Sequence, residues 1–143
     1  MTRRSKRDSG ERPVVLLVDD FQDNREMYAM YLDHTGFRVV EAANGHEALD
    51  VAFSSVPDVI VMDLSLPGLD GWEATRRLKA DARTRHIPVL ALTSHALEGF
   101  SKGARDAGCD GFVTKPCLPE NLASEIRAML DGSRGAASKI ARD

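Results

Sequence analysis

Cysteine is nearly absent: Cys109 and Cys117 are the only two in 143 residues. That is too few for a disulfide framework or a four-ligand zinc site, and both are expected as small, half-buried thiols. Long apolar runs are missing as well. None approaches the roughly 18 residues of a membrane-spanning helix, and no apolar stretch follows the charged start, so there is no secretory signal. A cytoplasmic location with no membrane partner is expected. There is little excess charge of either sign. The formal net charge is -3, whereas nucleic-acid-binding modules are usually basic, so no nucleic-acid partner is expected. What is present is an ordinary globular mixture, 43% hydrophobic and 29% charged, at a length that fits one domain able to bury its own core. No internal repeat is found.

The ends differ from the middle. Residues 1–12 hold five basic side chains (Arg3, Arg4, Lys6, Arg7, Arg12) against Asp8 and Glu11, and read as a flexible basic extension. Residues 132–143 are small and polar around a single Ile140, and read as a flexible tail. The domain is expected over 13–131.

Inside those limits two patterns alternate. Val14–Val18, Val59–Met62 and Val89–Leu92 are short unbroken apolar runs, Phe112-Val113 is shorter, and Phe37–Val40 is less pure. Such runs suit strands covered on both faces, as in a parallel sheet. Between them lie stripes at helical spacing. Met27, Met30, Tyr31 and His34 mark the first, expected as its core face. Ala48, Leu49, Ala52 and Phe53 mark the second, and Trp72, Ala74, Thr75, Leu78 and Lys79 the third. Phe100, Ala104 and Ala107 mark the fourth, and Leu122, Ile126, Met129 and Leu130 the fifth. Gly36 and Gly108 stand where helix C-caps belong. Five strands alternating with five helices predict a three-layer α/β domain with right-handed crossovers. Function in such a fold gathers beyond the carboxyl ends of the strands.

Those ends carry the chemistry. The first strand runs into Asp19-Asp20, the third into Asp63, the fourth into Thr93-Ser94 and the fifth into Lys115-Pro116. Singly, each has a structural explanation: an Asp caps a helix, a Thr closes a turn, a Lys sits on the surface. Together on one sheet edge they exceed what capping requires. Three gathered carboxylates repel one another and want a cation. Oxygen-only ligands in partial number suit Mg²⁺, which keeps water and recruits phosphate oxygens. A carboxylate can attack phosphorus to form an aspartyl phosphate, and a lysine, a hydroxyl and a metal answer the charge of the transferred group.

The acidic pair, the stretch from Met62 through Asp63, Pro67 and Gly68 to Gly71, Thr93 and Lys115-Pro116 resemble the receiver domain of two-component response regulators. The separations agree: 43 residues from Asp20 to Asp63, 30 from Asp63 to Thr93 and 22 from Thr93 to Lys115. The resemblance covers about residues 13 to 131. It implies a flavodoxin-like (βα)5 doubly wound sheet in the order 2-1-3-4-5. It implies Asp63 as phosphoacceptor from a phosphohistidine on a sensor histidine kinase or histidine phosphotransfer protein. Mg²⁺ would be held by Asp20, Asp63 and the backbone carbonyl of Ser65, with Asp19 acting chiefly through a metal-bound water. Lys115 would pair with the acceptor, across a Lys115–Pro116 bond that is a candidate cis peptide. Thr93 and Phe112 would form the switch that remodels a face for a downstream protein target. Ser65 and His95 would tune the lifetime of the modified state.

The chain is thus expected to be a signalling module with limited self-catalysis rather than an enzyme, monomeric or weakly dimeric. With 13 residues after Leu130, the expectation is a stand-alone receiver if these are natural ends, or else a piece of a larger regulator or hybrid kinase. Two alternatives remain. One is a receiver-like adaptor that is never phosphorylated. The other is an aspartate-nucleophile phosphatase, against which Ser65 stands where an acid/base Asp would be wanted. His34, His46 and His86 are expected at the surface or at helix ends.

Overall fold

The computed structural model describes residues 12–64, 71–93 and 106–132. Five strands and four helices lie among them. In chain order they are β1 (Val14–Val18), α1 (Gln22–His34), β2 (Arg38–Ala42), α2 (Gly45–Ser55), β3 (Val59–Asp63), α3 (Gly71–Ala80), β4 (Val89–Thr93), β5 (Gly111–Thr114) and α4 (Pro119–Asp131). The sheet is parallel throughout, in the order β2-β1-β3-β4-β5. The expected doubly wound topology is therefore present. Both ends of the chain beyond Arg12 and Gly132, Ser65 to Asp70, His95, and Phe100 and Ala104 of the expected fourth helix lie outside the described residues.

β1, β3 and β4 are unbroken apolar runs because both of their faces are covered. Alternate residues of each strand feed opposite cores. Leu16, Val18, Ile60, Met62, Val89 and Ala91 face Ala48 and Ala52 of α2 and Ala74 and Leu78 of α3. Val15, Leu17, Val59, Val61, Leu90 and Leu92 face Tyr28 and Leu32 of α1 and Leu122, Ile126 and Met129 of α4. Each pair of helices thus covers one face of the sheet.

One expected face is wrong. Met27 and Met30 of α1 are 42% and 65% exposed, and the buried residues of the helix are Tyr28 and Leu32. The helix carries two overlapping stripes at four-residue spacing, rotated by one position, and hydropathy favoured the wrong one. The phenol of Tyr28 explains the choice: its ring is buried while its hydroxyl donates to the Cys117 carbonyl at 2.6 Å, a polar handle on an apolar body.

The helix ends follow local chemistry. Asn44 caps α2 by accepting from the Glu47 N–H at 2.9 Å, and Glu47 in turn accepts from the Ala43 N–H at 2.8 Å. Gly36 and Gly108 have φ of 108° and 103°, the left-handed region that glycine enters without a side-chain clash. His34, His46 and His86 are exposed, as expected.

Candidate functional site

Parallel strands of matched register bring their carboxyl ends to one edge. Asp19 continues the β1–β2 ladder, its N–H donating to Ala42 O at 3.1 Å. Asp63 ends β3 opposite Leu92. The backbone N–H groups of Leu64 and Lys115 donate to Leu92 O at 3.0 Å and Thr93 O at 2.6 Å, tying the exits of β3, β4 and β5 together. Gly71, the first residue of α3, has no room for a side chain. A Cβ there would stand 2.2 Å from the Asp63 carbonyl oxygen and 2.8 Å from Leu64 Cα. Glycine thus lets α3 start directly against the backbone that presents Asp63.

On this frame Asp19, Asp20 and Asp63 each offer a carboxylate oxygen, all within 4.8 Å of one another. Asp19 and Asp63 are buried, at 0% and 1% exposure, and Asp20 is exposed. Lys115 Nζ donates to Asp63 Oδ2 at 3.0 Å, and the Lys115–Pro116 bond is cis. Thr93 is buried at the end of β4. The structure therefore brings together five of the residues singled out from sequence, Asp19, Asp20, Asp63, Thr93 and Lys115, at the carboxyl ends of four strands. Ser65 and His95 lie outside the described residues.

Asp19 has an unusual environment. Its Oδ1 accepts from the Phe21 N–H at 2.9 Å, while its Oδ2 is buried with no hydrogen-bond partner. Burial pushes its carboxyl above the ordinary range. The Phe21 N–H and the Lys115 ammonium pull it back down, and the charges of Asp63 and Asp20 push it further up. A buried carboxylate oxygen left unpaired costs free energy unless something positive answers it. A hard cation meets that need, and a group of oxygen-only ligands suits one.

Two residues near the cluster were not legible in the sequence. Arg25, in the first turn of α1, donates from Nη1 to the Asp19 carbonyl at 2.8 Å. Tyr28 ties α1 to the segment that follows Lys115 through Cys117. Both act through backbone carbonyls, which leave no trace in residue spacing. The available signal was their position on the turns of α1 that follow the acidic pair.

The description of the response regulator receiver domain matches residues 15–127. The chain belongs to that family. It is 35% identical over 116 residues to the polar-differentiation response regulator DivK of Brucella anthropi, covering 81% of this chain and 94% of that protein. Among solved structures, the chemotaxis protein CheY4 of Vibrio cholerae superposes with a TM-score of 0.78 at 30% identity, covering 81% of this chain and 97% of that one. The receiver domain of a sensor histidine kinase from Pseudomonas aeruginosa, with a magnesium ion coordinated in its active-site cleft, gives 0.79 at 32% identity, covering 85% and 99%. The receiver is a module of two-component signalling rather than an enzyme in the ordinary sense, and receivers in general work with histidine kinases and downstream targets. Its acidic cluster has the ligand set of a metal site. Among the described residues no helix is long and apolar enough to cross a membrane.

Proposed function

We propose that this receiver takes a phosphoryl group onto Asp63 from a phosphohistidine of a partner protein, with Mg²⁺ held by Asp20 and Asp63, the Ser65 carbonyl, and Asp19 acting through water. One observation carries the reading. Three carboxylates converge within 4.8 Å around an Asp63 already engaged by Lys115 at 3.0 Å, while Asp19 keeps a buried, unanswered oxygen. A cluster serving stability alone would not leave a buried carboxylate oxygen without a hydrogen-bond partner.

An Asp63 carboxylate oxygen attacks phosphorus, the bond from phosphorus to the imidazole nitrogen breaks, and its electron pair stays on the departing imidazole. Mg²⁺ held by these residues would neutralise charge on the phosphoryl oxygens. Lys115 supplies the remaining positive charge from its place on Asp63. Thr93 donates its hydroxyl to a phosphoryl oxygen.

The consequence is mechanical. The new group adds about -1.5 to -2 charges at neutral pH, drawing Thr93 and Lys115 toward it. Thr93 pairs with Thr114 across β4 and β5, and Ala91 with Phe112. Side chains alternate along a strand, so Thr93 and Phe112 belong to the same face of the sheet, two places apart. A shift of Thr93 opens space that Phe112 can fill, which reshapes the β5 face for a downstream target. Only a target with different affinities for the two shapes can read the change.

A protein donor suits the surroundings. Phe21, next to Asp20 in the chain, and Leu118, three residues past Lys115, are 57% and 59% exposed. Large apolar side chains in water beside a charged cluster are natural anchors for a macromolecule.

The test is intact mass after incubation with acetyl phosphate, with and without Mg²⁺, for the wild type and Asp63→Asn. The expected result is a gain of one phosphoryl group that requires both Mg²⁺ and Asp63. No gain with acetyl phosphate or with a phosphohistidine donor would overturn the reading in favour of a non-phosphorylated adaptor.

A further inference from the structure

Arg25 lies outside the acidic cluster yet reaches into its backbone. Its side chain is 15% exposed, and it bonds in two directions. Nη1 donates to the Asp19 carbonyl at 2.8 Å, and Nε donates to Glu41 Oε1 at 3.0 Å. Glu41 stands in β2 opposite Leu17, one residue before the Ala42 whose carbonyl receives the Asp19 N–H. The guanidinium therefore bridges the exit of β1, the exit of β2 and the start of α1.

The Asp19 carbonyl shares a planar peptide unit with the N–H of Asp20. Fixing the direction of that carbonyl fixes the plane from which the Asp20 Cα departs. The side chain of Asp19 is independently held by the Phe21 N–H. Asp20 carries the exposed carboxylate of the three, and it needs its backbone set if it is to meet the others at one point.

We infer that Arg25, braced by Glu41, is a positioning residue that orients the Asp19–Asp20 peptide and so presents the Asp20 carboxylate to a divalent cation. The inference rests on the metal reading above. Its competitor is purely electrostatic: a cation beside three carboxylates merely relieves their repulsion. The two accounts differ in sign. A guanidinium acting only through charge competes with Mg²⁺, so its effect survives replacement by another cation and its removal tightens binding. A guanidinium acting through geometry is not replaced by lysine, whose point charge cannot serve two acceptors at fixed angles.

Calorimetric titration of the whole chain with Mg²⁺ separates them, using the wild type, Arg25→Lys and Glu41→Gln, with the fold checked by circular dichroism. Arg25→Lys is expected to weaken binding on the order of tenfold, the effect usual for groups that orient metal ligands. Glu41→Gln, which keeps the shape but loosens the brace, is expected to weaken it about threefold. Unchanged or tighter binding in a folded Arg25→Lys overturns the inference. Should Arg25→Lys fail to fold, Glu41→Gln decides, and unchanged affinity there overturns it equally. A wild type that takes up no Mg²⁺ would sink the metal reading and this inference with it. Equal binding by wild type and Arg25→Lys sinks this inference alone.

Discussion

The two edges of the sheet use aspartate in opposite ways. At the amino edge, Asp58 immediately precedes β3 and Asp110 immediately precedes β5. Asp58 donates its N–H to Val14 O at 2.8 Å and accepts the Val14 N–H on Oδ2 at 2.7 Å. Asp110 does the same with Val89, both bonds at 2.8 Å. Each aspartate thus caps the first residue of the neighbouring strand. Asp110 also receives Lys79 Nζ at 2.9 Å, and that ammonium donates to Arg85 O and Ile87 O besides. Gly108 keeps the stem of Lys79 free, since a Cβ there would stand 2.8 Å from its Cγ. At the carboxyl edge the aspartates crowd together, and one buried oxygen has no hydrogen-bond partner. The residue type is the same at both edges. What separates the two edges is whether the fold satisfies every buried carboxylate oxygen or leaves one for a cation.

The sharpest way to test the contrast is Asp63→Asn. The exchange keeps the shape and an oxygen able to accept from Lys115, but the amide is no nucleophile. Loss of the phosphoryl mass gain should be complete, with a thermal melt within about 1 kcal/mol of the wild type. A large loss of stability would mean that Asp63 serves the fold as well, and the contrast would fail. Next comes Asp110→Ala at the other edge. It leaves the Val89 N–H without its acceptor and Lys79 without its anion, and should destabilise the chain by about 2 kcal/mol in a denaturant titration. Its phosphorylation, measured where the variant is fully folded, should match the wild type. A changed rate would show that the two edges are coupled.

The carboxyl edge was legible in the sequence because its groups differ in kind and recur at strand ends: an acidic pair, a lone Asp, a Thr and a Lys. Their convergence follows once the runs Val14–Val18, Val59–Met62 and Val89–Leu92 are read as parallel strands. The amino edge was not legible. An Asp before an apolar run is common, and its meaning depends on which strand lies beside it. That β3 pairs with β1, and β5 with β4, is a tertiary fact that gives Asp58 and Asp110 their partners. The face of α1 was lost for a similar reason. Tyr28–Leu32 and Met27–Tyr31 are both helical pairs, and only the placement of the helix against β1 and α4 chooses between them. Arg25 escaped because it reaches the acidic pair through a carbonyl, which every residue has.

Asp19→Asn sharpens the contrast with the smallest expected effect. Burial and the neighbouring carboxylates raise the Asp19 pKa above its ordinary 3.8, so the folded chain holds this proton more tightly than the unfolded one. The contribution of Asp19 is therefore most favourable below pH 3.8 and is lost as pH rises through the raised value. At neutral pH and without metal, the ionised Asp19 works against the fold. Asparagine keeps an oxygen for the Phe21 N–H and removes the charge. Without Mg²⁺ at pH 7 the variant should be the more stable by about 1 kcal/mol or more, because it removes a buried charge whose desolvation and like-charge neighbours both oppose it. The gap should shrink as the solution is acidified toward pH 3.8. Saturating Mg²⁺ should narrow or reverse it, because ligand binding stabilises the wild type in proportion to its affinity. Melts with and without Mg²⁺ at pH 7 and pH 4 check all three points. An Asn variant less stable than the wild type in metal-free buffer would mean that Asp19, like Asp58 and Asp110, is already satisfied by the fold, and the two edges would no longer differ.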